Sequence, residues 1–352
     1  MSAYNKLLGA LIILSVVSYI CTVIFNVISA IGKGGLFNTI ASNVSDKYPL
    51  DVTPAGWTFS IWSVIYIWNG LWIVYVLSTL FRRSKDEYIY AKLGIHPPEF
   101  FTMWILNNSI NIGWLFIWDK EYLIFSNVFL VLIPITCFMM LQISCSRCYR
   151  HRKILAENYR VDLWCTRILV HNGLAMYATW TSIATIINFG MVLKYYVPIR
   201  DPGVSSMVLC LVFFALVFWF LMETFVFEKY LRYTFTIYPV AIVATVGVYF
   251  GKETSSTAET DVLKVTAGNL INIVLFISHS GYCHLFVLIS ASCIACFLRF
   301  TLFFSCGKLR PLFKEAKYDH QKTKVEMKTS DIQTAQINGH TNPIPLEMIE
   351  SL

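Results

Sequence analysis

The stretch PAGWTFSIWSVIYIWNG, residues 54–70, holds no charged residue and opens an apolar run that reaches about residue 80. A helix rises about 1.5 Å per residue, so a run of this length crosses the ~30 Å hydrocarbon layer of a bilayer. Trp62, Tyr66 and Gly70 recur at every fourth position and therefore share one face. An interfacial aromatic belt accounts for Trp57 at the start of the run, but Trp62 and Tyr66 fall below that level. The small residue Gly70 on the same face lets a neighbouring backbone come close.

Comparable runs lie at about 7–31, 99–118, 122–145, 168–193, 205–227 and 233–250. The first follows a single basic residue, Lys6, and is too long for a signal-peptide core, so it reads as a retained span. A last apolar region, 263–305, is about 60 Å long as one helix, more than one crossing needs. Ser278-His279-Ser280-Gly281 interrupts it, leaving either one span preceded by a lumenal or re-entrant helix, or two spans. Composition agrees with this pattern: 56% of the 352 residues are hydrophobic, only 14% are charged, and mean hydropathy is +0.59. A soluble domain carries roughly a quarter charged residues to wet its surface. The expected fold is an all-α polytopic bundle of about eight spans.

The charges lie between or beyond the apolar runs. Arg82, Arg83, Lys85 and Lys92 follow the second span, Arg147, Arg150, Arg152, Lys153 and Arg160 the fourth, and Lys308, Arg310, Lys314 and Lys317 the last. With eight spans these groups share one face with Lys6, and the positive-inside rule puts both termini in the cytosol. The net charge of +7 is thus a topology signal, and no nucleic-acid partner is expected. The sequon Asn43-Val44-Ser45 falls in the first loop, on the lumenal or outer side, where Asn43 is a glycosylation candidate. A second match, Asn107-Asn108-Ser109, lies inside a span and reads as accidental. The chain divides into 1–195, 196–306 and a polar, disordered cytosolic tail, 307–352. The sequon points to the plasma membrane or an endomembrane.

The ten cysteines form no disulfide framework, since most fall in or beside spans. Cys145, Cys148 and Cys306 sit at basic membrane edges and are S-acylation candidates. Cys145-x-x-Cys148-x-x-His151 is half a zinc site without a second pair, Cys293-x-x-Cys296 reads as packing, and neither His279 nor His284 has a visible ligand partner, so no metal or other cofactor is expected. There is no P-loop, dinucleotide-binding glycine motif, G-x-S-x-G or H-E-x-x-H, and no enzymatic activity is assigned.

Polar residues inside spans mark the interior, because an unpaired amide in hydrocarbon costs several kcal/mol. The third span carries Asn107, Asn108, Ser109 and Asn111, then Trp114 and Trp118. The fifth carries His171, Asn172, Tyr177, Trp180, Ser182, Thr185 and Asn188. They serve either as glue between helices or as ligand contacts. Glu223 in the sixth span marks either ion or proton handling or a paired interfacial residue beside Glu228, Lys229 and Arg232.

These residues resemble the tryptophan-rich sensory protein and translocator protein family (TspO/MBR). Its second helix reads P-x-x-W-x-F and then W-x-x-x-Y-x-x-x-G, which Pro54, Trp57, Phe59, Trp62, Tyr66 and Gly70 follow with one residue fewer between Phe59 and Trp62. Its third helix has N-x-x-W, matched by Asn111 and Trp114. Its fifth has Y-x-x-W with an Asn eight residues on, matched by Tyr177, Trp180 and Asn188. The resemblance covers about residues 7–195, and the later spans look like those of longer relatives. It implies a five-helix bundle with a pocket beneath the first loop for porphyrins, sterols and other flat apolar molecules. Trp57, Phe59, Trp62, Tyr66, Asn111, Trp114, Tyr177, Trp180 and Asn188 form the expected wall. The expected function is binding or carriage of such a ligand. A secondary transporter or channel using Glu223, and a receptor or scaffold acting through the tail, are the alternatives. The expected partners are the bilayer, the apolar ligand and a second copy of the chain.

Overall fold

The computed structural model describes residues 2–250 apart from 33–34, 85–86, 198 and 249. The region 263–305 with its histidines and cysteines, Cys306 and the tail lie outside the described residues. Six helices among those described are long and apolar enough to cross a membrane: Ala3–Ile31, Gly56–Ser78, Pro98–Asp119, Leu123–Arg150, Arg160–Tyr196 and Gly203–Val226. They match the first six expected spans in order, the fifth running longer than expected. The seventh is the shorter apolar helix Ile237–Val248.

In chain order the elements are α1 (Ala3–Ile31), α2 (Ala41–Lys47), a 3-10 turn (Gly56–Ser60) leading into α3 (Ile61–Ser78), and a two-stranded ribbon of β1 (Arg83–Ser84) and β2 (Glu87–Tyr88). They continue with α4 (Ile89–Leu93), α5 (Pro98–Asp119), α6 (Leu123–Arg150), α7 (Arg152–Asn158), α8 (Arg160–Cys165) and a π-helical turn (Thr166–His171) running into α9 (Asn172–Tyr196). Then come α10 (Asp201–Leu221), a second π turn (Met222–Val226), α11 (Glu228–Leu231) and α12 (Ile237–Val248).

The outer surface of the bundle is apolar, as its interior is, and the buried hydroxyls set the two apart. On α1, Leu8, Ile12, Ser15, Thr22 and Ser29 are buried, while Ile13, Leu14, Val17, Ile20, Ile24 and Val27 are exposed. Aliphatic side chains face outward and hydroxyls face inward, as a lipid solvent dictates, because only the protein interior offers hydrogen-bond partners. The amides of α5 are interhelical glue. Asn107 donates to the Ile133 carbonyl (3.0 Å) and the Thr136 hydroxyl (2.7 Å) of α6, and Asn108 donates to Ser18 of α1 (3.2 Å). Gly70 does admit a close neighbour, but it is a side chain rather than a backbone. The Tyr19 hydroxyl passes within 3.2 Å of where a Cβ would stand and donates to the Tyr66 carbonyl.

The π turn before α9 breaks the regular ladder and frees carbonyls. The Trp68 indole of α3 donates to the Ile168 and Leu169 carbonyls (3.2 Å each), and the Asn172 amide donates to that of Arg167 (2.9 Å). Asn172 also reaches the segment before α12. It donates to the Tyr233 carbonyl (2.9 Å) and accepts from the Phe235 and Thr236 backbone N–H groups (2.9 and 3.2 Å). One amide therefore moors α12 to α9. The hydrophobic core is continuous across residue 195: it includes Val204, Val208, Val240, Ala241 and Ala244 together with residues of α1 to α9.

The far end of α12 docks on the 3-10 turn. The Ala55 N–H donates to the Gly247 carbonyl (2.9 Å), and a Cβ on Gly247 would stand 2.2 Å from the Thr58 hydroxyl. Thr58 is wholly buried and has no room to retreat. Gly247→Val is therefore expected to destabilise the protein by about 1–3 kcal/mol, the usual cost of overpacking. Thermal unfolding in detergent checks this, with Gly203→Val, where a Cβ meets open space, as the neutral comparison.

Candidate functional site

A cavity of about 560 Å³ lies at the end of the bundle that carries the first loop. The range for small-molecule sites is roughly 300–1,000 Å³. Asn26 of α1, Phe59 of the 3-10 turn, Trp62 and Tyr66 of α3, Trp114 and Trp118 of α5, and Trp180 and Asn188 of α9 line it. Ala41, Ser42, Ser45 and Asp46 of α2 close it from the loop side, and Ala244 of α12 completes the wall.

The rings are packed against one another in fixed orientations. Trp62 stacks on Tyr66 (5.6 Å) and meets Trp180 at 86° (6.1 Å), while Phe59 meets Trp180 at 86° (6.4 Å). Trp114 stacks on Trp118 (5.7 Å). Their indole N–H groups are taken up by Ser126 (2.8 Å) and the Ala41 carbonyl (2.9 Å), so these two offer ring faces rather than donors. The Trp180 N–H and the Asn188 amide oxygen have no hydrogen-bond partner among the described residues. Both atoms are buried out of reach of water, so they lie within the packed wall and are not presented to the cavity.

Beneath the rings runs a chain of buried hydrogen bonds. Asn26 donates to the Asn111 amide oxygen (2.8 Å), and Asn111 donates to the Tyr177 hydroxyl (2.9 Å). The Tyr177 ring then packs edge-on against Trp62 (6.1 Å). The expected wall residues Phe59, Trp62, Tyr66, Trp114, Trp180 and Asn188 all line the cavity. Asn111 and Tyr177 stand one layer behind and position it. Trp57 is a correction: it is 52% exposed and outside the wall, because its neighbours in the turn take the inward positions, and it is left as a membrane-edge aromatic.

Asn26, Trp118, Asp46 and Ala244 were missed as wall residues. A lone amide inside the most apolar span was the signal for Asn26, by the same cost argument applied to α5. Nothing in the local sequence marks Ala244.

Elsewhere, His171 and Asn172 sit at the opposite end of α9. His171 shares the Ser144 hydroxyl with His96 (2.9 and 3.1 Å). Cys145 and Cys148 are a second correction. Both are buried against the core, so the folded bundle presents neither thiol to an acyl donor. Glu223 is wholly buried and accepts from the Tyr238 hydroxyl of α12 (2.5 Å), so it is a paired residue of the interior and does not snorkel. Asn43 is exposed on α2. No metal-ligand cluster occurs among the described residues.

These features define an integral membrane protein, an all-α bundle enclosing an aromatic cavity. The chain belongs to the TSPO-like protein family, whose model matches residues 12–280. The match bears out the resemblance and continues past the fifth span, over α10 and α12. No curated protein and no solved structure matches the chain.

The closing segment α2 is tied to the turn after α5 at both ends. At its entrance the buried Asp119 carboxylate accepts from the Asn38 N–H (2.8 Å), the Asn38 amide (2.7 Å) and the Thr39 N–H (2.9 Å). At its exit Glu121 accepts from Lys47 (2.5 Å) and the Tyr48 hydroxyl (2.7 Å). Glu121 has φ 59°, the one positive-φ residue other than glycine among those described, a conformation kept only where the surroundings demand it. The hydrogen bonds from Lys47 and then Tyr48 hold its carboxyl below the usual glutamate range. A depressed carboxyl stabilises the closed segment above the ordinary pKa of about 4.3, and the effect is lost as pH falls through the lower value. Protection factors of residues 41–48, taken relative to the intrinsic exchange rate at each pH, are therefore expected to fall below about pH 4, and Glu121→Gln should lower them at pH 7 while α5 and α6 stay protected.

Proposed function

We propose that this protein binds, and passes on, a small flat apolar molecule such as a sterol, a porphyrin or a lipid-like compound within the aromatic cavity. The observation that carries this is the wall itself. Six aromatic side chains, Phe59, Trp62, Tyr66, Trp114, Trp118 and Trp180, surround a space of ligand size, with the amide of Asn26 and the hydroxyl-bearing Ser29, Ser45 and Ser63 among the other lining residues. Broad ring faces favour a planar apolar body, and a few fixed polar atoms orient it. Membership of the TSPO-like family supports the same reading.

The first loop takes the lumenal or outer side in this reading, with the basic turns around α4 and α7 in the cytosol and a glycan on Asn43. That residue is exposed on the outer surface of α2, so a glycan there leaves the cavity free.

Equilibrium binding to purified protein tests the proposal. At least one of a sterol, a porphyrin and a lipid is expected to bind saturably. The double variant Trp62→Ala/Trp180→Ala should weaken that binding by about tenfold or more, which corresponds to about 1.4 kcal/mol. Undiminished binding to a folded double variant would remove the cavity as the site.

A further inference from the structure

We infer that the preferred ligand carries a protonated amine at its polar end, and that ligands ending in a carboxylate are disfavoured. This rests on the cavity being the ligand site proposed above and adds the charge class of its occupant.

Among the described lining residues there is no Lys, Arg or His. The one acid among them is Asp46, exposed on α2 and without an ion-pair partner among the described residues. A carboxylate drawn into this space loses its hydration and meets no counter-charge in the lining, where the one charged residue, Asp46, repels it. Two of the nearby cations are engaged. Lys47 is held by Glu121, and Lys194 binds the Pro49 carbonyl (2.6 Å) and Asp201 (2.6 Å). The other acids at this end, Asp119 and Glu121, are occupied by the bonds that hold α2 in place. Asp46 is thus the one acid in the cavity lining, and it has no ion-pair partner among the described residues.

The box suits a cation. Trp62 and Phe59 each stand nearly perpendicular to Trp180, so ring faces are turned in more than one direction around the space. Ring faces attract ammonium groups, and tryptophan does so most strongly.

The test uses one steroid nucleus bearing at the same carbon an amine, an alcohol or a carboxylate. Each is titrated into the full-length protein in zwitterionic-lipid nanodiscs, so that bilayer charge does not sort the ligands. The amine is expected to bind about tenfold or more tighter than the carboxylate. Asp46→Asn should weaken the amine by about tenfold, and Asp46→Glu should restore it. A carboxylate that binds as tightly as the amine, or an amine affinity unmoved by Asp46→Asn, overturns the inference and leaves the cavity as a site. Binding of none of the three, with Trp62→Ala/Trp180→Ala also without effect on any other apolar ligand, overturns the cavity reading and the inference with it.

Discussion

The hydrogen-bonded chain Asn26–Asn111–Tyr177 is the constraint on which the rest of the bundle depends. In hydrocarbon no water can satisfy an amide, so the two asparagines and the phenol have to find one another. They sit on α1, α5 and α9, and their meeting sets the rotation and depth of three helices at once. Such bonds contribute only about 0.6–2 kcal/mol each in membranes. Their weight lies in specificity, since any slip of one helix leaves a buried polar group unpaired. With Tyr177 fixed, Trp62 packs against its edge, Tyr66 stacks on Trp62, and Trp180 closes the corner. The cavity is the space these fixed rings leave over the amide floor.

A second polar centre does the corresponding work for the later helices. The π turn ahead of α9 exposes carbonyls that Trp68 and Asn172 take up. Asn172 then holds the segment before α12, whose far end presses Gly247 against Thr58 and places Ala244 in the cavity wall. A helix beyond the fifth span is thereby part of the site. Its two moorings are short-range and directional, one an amide and one a glycine, so α12 has little freedom to slide.

Much of this was legible in the chain. Apolar run length located the first six spans to within a few residues, except for the N-terminal extension of the fifth, where Asp162 and Arg160 interrupt hydropathy although the helix continues. Asp162 is paired there with Arg82, which removes the charge cost that hydropathy assumes. The family resemblance carried by Trp62, Tyr66, Trp114, Trp180 and Asn188 pointed to most of the residues that line the cavity, whereas the residues alone left helix-to-helix glue and ligand contact both open. Trp57 was misplaced because residues two apart in a helical turn point to different sides, so with Phe59 turned to the cavity Trp57 faces outward. Asp46 and Ala244 were not visible, since each reaches the cavity through long-range docking of α2 and α12 that no local pattern encodes. Cys145 and Cys148 looked juxtamembrane by sequence distance, yet α6 runs on to Arg150 and keeps both inside the packed core.

The central claim is that the aromatic cavity, and not the lipid-facing surface, holds the ligand. Photolabelling with a diazirine-bearing sterol, followed by mass-spectrometric mapping of the adducts, addresses it most directly. The account predicts adducts within residues 54–66 and 176–191 that unlabelled sterol competes away. Adducts confined to outward residues such as Ile67, Val74 and Phe214, and insensitive to competition, would contradict it.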